Sequence, residues 1–424
     1  MRVGDNVEVN DQGKWRALWI NFFVIVAMYI PYVGYSVKTL DIMDDLSLTY
    51  TAAGLIASVT ALVGGIVLPY SGALADRFGP KKIIVSGLII ILVGQFIFSI
   101  APSISILLFS RALIGIGVAI LLIAPYTLAI LWFQQSKSTG VGLGVMIASD
   151  GVGTLLATYI FSFIYTFYSW RIGSLIGCVV LLLMLVISIK LLKDPPDLKY
   201  HQEKVNFKST NKAFLSLLGN RNVIGGSIYL ICLFSTFSLA VYWVPTILIE
   251  ESGWSEGLSG FIGSSFAVAG IASAITFGIF SDRLGSRKPF INIGSIGLVL
   301  SFIGFSYFYI AENYLLLAIL LPIAGFFAYG GTPIVYALVA DSVKQNEAGL
   351  ANGIVLGVGM LLGNLVVPLL IGSVKDMSNT YSLGFIIMTI YLAIFCIINF
   401  FLIKEFKEEK SDTVQNDEYI INQK

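Results

Sequence analysis

Twelve stretches of this chain, each about twenty residues or more, carry little charge and are long enough to cross a bilayer as helices. They cover 17–38, 52–75, 83–101, 105–132, 140–164, 170–192, 223–249, 258–280, 289–310, 314–339, 349–374 and 381–403, and are called spans 1 to 12 below. In hydrocarbon every backbone N–H and C=O must find its partner within the protein, so runs of this length predict helices. Composition agrees. Only 12% of the 424 residues are charged and 57% are hydrophobic, where a soluble domain charges roughly a quarter of its residues. The predicted fold class is an all-α integral membrane protein with lipid as its solvent.

A polar stretch from Lys193 to Asn222 divides the spans six and six. The predicted domains are therefore an N-terminal bundle (1–192), a linker (193–222), a C-terminal bundle (223–403) and a polar tail (404–424). Lys and Arg stay on the cytoplasmic side. With the N-terminus inside, only Lys38, Arg171 and Lys375 fall outside. Both termini are thus predicted to be cytoplasmic, in a cell (plasma) membrane. The polar segment before span 1 needs no cleavable signal, because the run behind it is long enough to stay in the bilayer.

The halves repeat one another. "GALADRFGPKK" (72–82) returns as "GIFSDRLGSRK" (278–288), displaced by 206 residues, and the same displacement pairs Gly54 with Gly260 and Gly64 with Gly270. A displacement of 208 pairs Gly117 with Gly325 and Pro125 with Pro333; one of 209 pairs Gly140 with Gly349. A duplicated six-helix unit commonly holds its ligand between the copies, near the midplane.

Several chemistries are excluded or disfavoured. The single histidine, His201, lies in the linker, which argues against a histidine metal site or a serine–histidine triad. No G-x-x-x-x-G-K-[ST] cradle for nucleotide phosphates occurs. Cys178, Cys232 and Cys396 all fall in apolar runs, so three buried thiols are expected and no disulfide framework. The formal charge of +1 gives no reason to expect nucleic acid. No cofactor or metal is expected, and no enzyme activity, since the spans lack a nucleophile–base or metal cluster.

The repeated loops resemble the signature of the major facilitator superfamily: Gly72, Asp76, Arg77, Gly79, Lys81 and Lys82 between spans 2 and 3, with Gly278, Asp282, Arg283, Gly285, Arg287 and Lys288 between spans 8 and 9. Arg111, Gly115 and Gly117 are similar to a second signature in span 4, R-x-x-x-G-x-G. The resemblance covers essentially the whole chain. It implies two pseudo-symmetric six-helix bundles and secondary active transport of a small solute by alternating access. It also implies a cavity lined by spans 1, 4, 7 and 10, and a conformational latch at the two loops. Physically, Asp76 would sit beside the start of span 11 near Gly349, and Asp282 beside the start of span 5 near Gly140. An acid is favoured at a helix N-terminus. The alternative is a loop merely anchored to lipid headgroups.

Two interior charges stand out. Asp150 is the one formally charged residue from Gly140 to Phe163, about 16 Å into span 5 at 1.5 Å per residue. Arg111 lies about 10 Å from the outer end of span 4 by the same rise. Such groups normally face a protein interior or a wet cavity and mark a substrate or proton route. Neither is repeated: the partner of Arg111 is Ile319, and that of Asp150 is Gly359 or Met360. Four readings stand. The two pair with each other; Arg111 attracts an anionic substrate while Asp150 exchanges a proton; Asp150 attracts a cationic substrate in an exporter; or Asp150 shapes a kink beside Gly151 and Gly153. Burial and a nearby guanidinium act oppositely on an acid's protonation, so relative motion of the bundles would switch it.

In the cavity the family implies, the candidate substrate residues are Tyr32, Tyr35, Tyr126, Tyr242, Trp243, Tyr329 and Asn364, with Arg111. Tyr29, Tyr229 and Tyr336 lie on the same spans. Aromatic rings with one polar tip suit a greasy but selective cavity. Tyr242 and Trp243 read equally as interfacial anchors, and Asn364 equally as a bond to a neighbouring helix. Drug exporters of the superfamily often carry G-x-x-x-G-P-x-x-G-G in span 5; here Ala148 and Ser149 stand at its second glycine and proline. "WF" (132–133), "SWR" (169–171) and "LKDPP" (192–196) look instead like anion-carrying branches. The reading favoured on these grounds is a proton-coupled symporter that takes up a small organic or inorganic anion, acting as a monomer. The alternatives are proton-coupled efflux of cationic or amphiphilic drugs, and a non-transporting membrane sensor on the same fold.

Overall fold

The computed structural model describes residues 3–133, 139–195, 215–344 and 347–405. Among them every regular element is helical and none is a strand. Twelve helices reach membrane-spanning length and apolarity: Gly13–Leu46, Tyr50–Ala75, Pro80–Ser99, Ile104–Phe133, Gly144–Ile164 and Trp170–Leu191, then Arg221–Ser252, Glu256–Leu284, Lys288–Ile310, Tyr314–Asp341, Ala348–Ser378 and Ser382–Leu402. Span 1 runs eight residues beyond its expected end at Lys38, because a short helix, Thr39–Leu46, continues past the apolar run.

Local chemistry sets the ends. Thr49, Ser169, Asn220, Ser255 and Asn313 accept backbone N–H bonds at the starts of spans 2, 6, 7, 8 and 10. Gly79 (φ 91°) and Gly285 (φ 59°) turn the chain into spans 3 and 9 in a region where a side chain is strained. Their loops are braced by acids from the last span of each half. Asp194 accepts the Lys81 amide at 3.0 Å, and Glu405 accepts those of Arg287 and Lys288 at 2.6 and 2.8 Å.

Spans 1 and 7, repeat partners, lie deepest, with 83% of their most apolar window buried against 22% for span 12. Both leave the α-helix at matching heights: span 1 tightens to a 3₁₀ turn over Gly34–Lys38, and span 7 widens to a π turn over Leu239–Trp243. Span 5 has its own π turn at Leu156–Ile160. Large side chains such as Phe109, Phe163 and Leu300 point outward, as lipid-facing surfaces require. The three cysteines are free and half-buried rather than fully buried, and Cys232 and Cys396 line a cavity beside Tyr229 and Asn399.

The two bundles meet along a pseudo-symmetric seam, span 2 against span 11 and span 8 against span 5. At one end the seam is tight. A Cβ at Gly54 would collide with the Pro368 carbonyl, and one at its repeat partner Gly260 with that of Thr158. At the other end, which carries the repeated loops, Cβ atoms at Gly144, Gly278, Gly349 and Gly353 would meet no described atom within 4 Å. The molecule is closed at the far end and open at the loop end.

Candidate transport site

Asp150 lies at the midplane seam. Small neighbours bring other helices against it: a Cβ at Gly153 would sit 2.7 Å from the Tyr29 ring of span 1, and one at Gly151 would strike Ile271 of span 8. The carboxylate accepts the Tyr126 hydroxyl at 2.9 Å on Oδ2 and the Tyr29 hydroxyl at 3.4 Å on Oδ1. Tyr329 and Tyr336 lie on span 10 and make no hydrogen bond to Asp150 among the described residues. Tyr329 packs over Gly270 and edge-on to Phe266. The half-buried carboxylate is thus held by phenols from spans 1 and 4.

Arg111 is fully buried and does not pair with Asp150. Its Nε donates to the Ile56 carbonyl at 3.1 Å, and its two Nη atoms donate to Pro31 at 2.5 Å and Tyr32 at 3.0 Å. Pro31 and the 3₁₀ turn after Val33 interrupt the helical ladder of span 1. Carbonyls freed by such an interruption need donors within the protein, and the guanidinium supplies them, resting 4.4 Å from the Tyr35 ring. Its repeat partner Ile319 faces outward, 51% exposed. Arg111 therefore ties span 4 to the breaks of span 1, about one helical turn from Tyr29 towards the far end.

Two further candidates meet across the seam. Asn364 of span 11 donates to the Tyr32 hydroxyl at 3.0 Å, while its own Oδ1 has no hydrogen-bond partner among the described residues. Tyr242 donates to the Tyr32 carbonyl at 3.3 Å, and its ring lies 5.9 Å from that of Tyr35. Trp243 packs 6.3 Å from Tyr50 and 5.8 Å from Tyr381 in the closed end. Both residues of span 7 are buried in the seam, at 5% and 2% exposure, rather than lying at a lipid interface. Tyr229 lies elsewhere: its hydroxyl donates to the Ala328 carbonyl at 2.9 Å and accepts the Gly331 amide at 3.0 Å, stapling the break in span 10.

The loop residues are apart from this site. Gly278 has open space before it, and Asp282 and Arg283 are exposed. Arg287 pairs with Asp341 at 2.5 Å within its own bundle, and Lys81 donates to the Ile189 carbonyl at 3.1 Å. The side chain of Asp76 lies outside the described residues, as does His201.

The closed end holds a network that the sequence reading missed. Lys38 of span 1 bridges to Glu256 of span 8 at 2.6 Å. Asp376 of span 11 accepts the Tyr50 amide at 3.0 Å, and the Thr51 amide and hydroxyl at 2.8 and 2.6 Å. Lys375 bridges to Glu250 and Glu251 at 3.2 and 3.0 Å, with its ammonium 4.2 Å from the Tyr381 ring. Glu250 also accepts the hydroxyls of Tyr50 and Tyr381, each at 2.8 Å. The only signal in the sequence was the acids at span ends, which reads as ordinary loop charge until their partners across the seam are known.

Two repeated helical bundles, sealed at one end over an interior carboxylate and open at the other, define a multi-pass membrane transporter. The chain belongs to the Major Facilitator Superfamily, whose family profile matches residues 17–354 and 243–419. It is 26% identical to Multidrug resistance protein 1 of Bacillus subtilis (strain 168) over 378 residues, covering 88% of this chain and 93% of that one. It is 25% identical to the sialic acid transporter NanX of Escherichia coli (strain K12), covering 84% and 88%, and 25% identical to the hexuronate transporter of Bacillus subtilis (strain 168), covering 86% and 89%. Among solved structures, the nucleoside transporter NupG superposes with a TM-score of 0.74 at 15% identity, over 92% of this chain and all of that one.

Proposed function

We propose that this chain is a proton-coupled secondary transporter of a small polar solute, with Asp150 carrying the coupling proton. One observation carries the reading. Asp150 is a half-buried carboxylate deep in span 5, bonded to the Tyr29 and Tyr126 phenols where the bundles meet. With the basic loop end in the cytoplasm, as the Lys and Arg asymmetry predicts, this is an inward-open state, and opening the far end would present the same carboxylate outside. The loop residues Asp76 and Asp282 would latch the opposite state. In proteoliposomes, Asp150→Asn is expected to abolish accumulation driven by a pH gradient while leaving solute exchange. Unchanged accumulation would refute the role.

Uptake of an organic or inorganic anion is a second reading, favoured by the names of the sialic acid and hexuronate relatives. It requires Arg111 to release its three carbonyls during the cycle and turn to the solute.

A further inference from the structure

A second group of reactive side chains lies within the C-terminal bundle. Cys232 of span 7 and Cys396 of span 12 line one cavity with Tyr229 and Asn399, and every residue of its wall belongs to that bundle. Both thiols are free and half-buried, which leaves a path of entry. Asn399 is 3% exposed, and its Oδ1 has no hydrogen-bond partner among the described residues. The space between these groups is about that of one water molecule, too small for an organic ligand.

Spans 7 and 12 run antiparallel, and hydrogen bonds on either side of the thiols fix their register. Asn222 accepts the Lys404 amide at 3.0 Å and donates to the Lys404 carbonyl at 3.2 Å. Further along, the Ser235 and Tyr391 hydroxyls lie 3.3 Å apart. In that register Cys232 stands level with Ile394 and Cys396 with Leu230, so the two cysteines differ by about 3 Å along the helix axis at 1.5 Å per residue. Two sulfurs thus face one ion-sized space from adjacent helices, and thiolate sulfur selects soft metals.

We propose that Cys232 and Cys396 together bind one soft divalent metal ion of the mercury(II) type as a two-coordinate dithiolate. Ligand count selects the ion. Structural zinc takes four ligands, and calcium and magnesium take six or more oxygens. Mercury(II) is satisfied by two thiolates. Charge selects it as well. A lone thiolate beside Leu233, Leu298 and Phe395 would be an unpaired charge in apolar surroundings, which is costly. On binding, each thiol loses its proton to water and each sulfur forms one bond to the ion. Two positive charges leave, two arrive, no electron is transferred, and the site stays neutral. A monovalent soft ion on the same two thiolates would leave one negative charge buried. Cys178 lies on span 6 of the other bundle and takes no part.

The test titrates the full-length protein in detergent with mercuric chloride at neutral pH, counting free thiols, protons released and the melting temperature. The first equivalent is expected to remove two of the three thiols, to release two protons per ion and to raise the melting temperature, as any ligand of the folded state does. Cys178→Ser should keep all three responses. Cys232→Ser and Cys396→Ser should each lose one thiol per ion instead of two. Each should also hold the ion about a hundredfold less tightly against glutathione, because the second sulfur no longer adds its effective concentration. X-ray absorption of the wild-type complex needs no variant, and two sulfur neighbours at mercury are expected. A first equivalent that consumes one thiol in the wild type, or a Cys178→Ser variant that abolishes the response, overturns the proposal. So does zinc binding of equal strength, which would require ligands beyond the two thiols.

Discussion

Asp376 and Thr51 join the two bundles at the closed end: one carboxylate oxygen accepts both the amide and the hydroxyl of Thr51, at 2.8 and 2.6 Å. The other oxygen accepts the Tyr50 amide at 3.0 Å. The acid of span 11 thus caps the N-terminus of span 2 in the opposite bundle, where its charge also meets the positive end of the helix. These bonds exist only while this end is shut. Asp376→Asn is therefore expected to raise the population open at this end about fivefold, from roughly 1 kcal/mol of lost capping at an exposed site. Distances between spin labels at Asp44→Cys and Met377→Cys, one in each bundle, report it. An unchanged distance distribution would remove the gate role.

The glycines of the seam make a sharper prediction because the repeat supplies its own control. Gly54→Ala and Gly260→Ala each place a methyl against a backbone carbonyl of the facing span, which cannot move aside as a side chain would. Overpacking of this kind costs typically about 1–3 kcal/mol, charged here to the closed far end alone. Both variants should shift the same label pair towards separation. Gly278→Ala and Gly353→Ala, which meet no described atom within 4 Å, should leave it unmoved.

Much of the fold was legible because lipid leaves so few options. Twelve apolar runs had to be helices, and "GALADRFGPKK" with "GIFSDRLGSRK" exposed the duplication. The interior position of Asp150 was legible for the same reason, and Tyr29, Tyr32 and Tyr126 lay on the expected spans. What a single sequence withheld was pairing. Spacing shows that Arg111 is inside span 4, but not that a 3₁₀ turn in span 1 leaves carbonyls in its reach. Pro31 and Gly34, three residues apart in an apolar run, were the available hint. Lys38 and Lys375 read as two outer cations; their carboxylate partners sit more than 100 residues away for Glu256 and Glu251 alike.

Arg111 tests how far that structural role extends. Arg111→Met would take the guanidinium donor from the buried Pro31 carbonyl and one donor each from the Tyr32 carbonyl, which keeps the Tyr242 hydroxyl, and the Ile56 carbonyl, which lies within the regular helix of span 2; a buried group left unsatisfied costs about 1–3 kcal/mol. The expected outcome is a large fall in thermal stability in detergent with or without solute. Arg111→Lys should recover only part of it, since one ammonium cannot reproduce the planar fork. A lysine variant of normal stability that has lost its solute response would instead assign the guanidinium to substrate.

Asp282 concerns the opposite state. Here it is exposed, with no ion pair among the described residues, and the neighbouring Gly278 faces open space. If it caps the start of span 5 when the loop end shuts, the bond is absent from the present state and its loss burdens only the other. Asp282→Asn should therefore enrich molecules open at the loop end by about twofold to fivefold, the effect of removing 0.5–1 kcal/mol from a helix-terminus contact. Labels at Lys82→Cys and Leu284→Cys, one in each bundle, would show the longer distance gaining population. Thermal stability should not change, because nothing in the present state depends on that carboxylate. A fall in stability without a population shift would make the loop a structural brace and leave the latch without support.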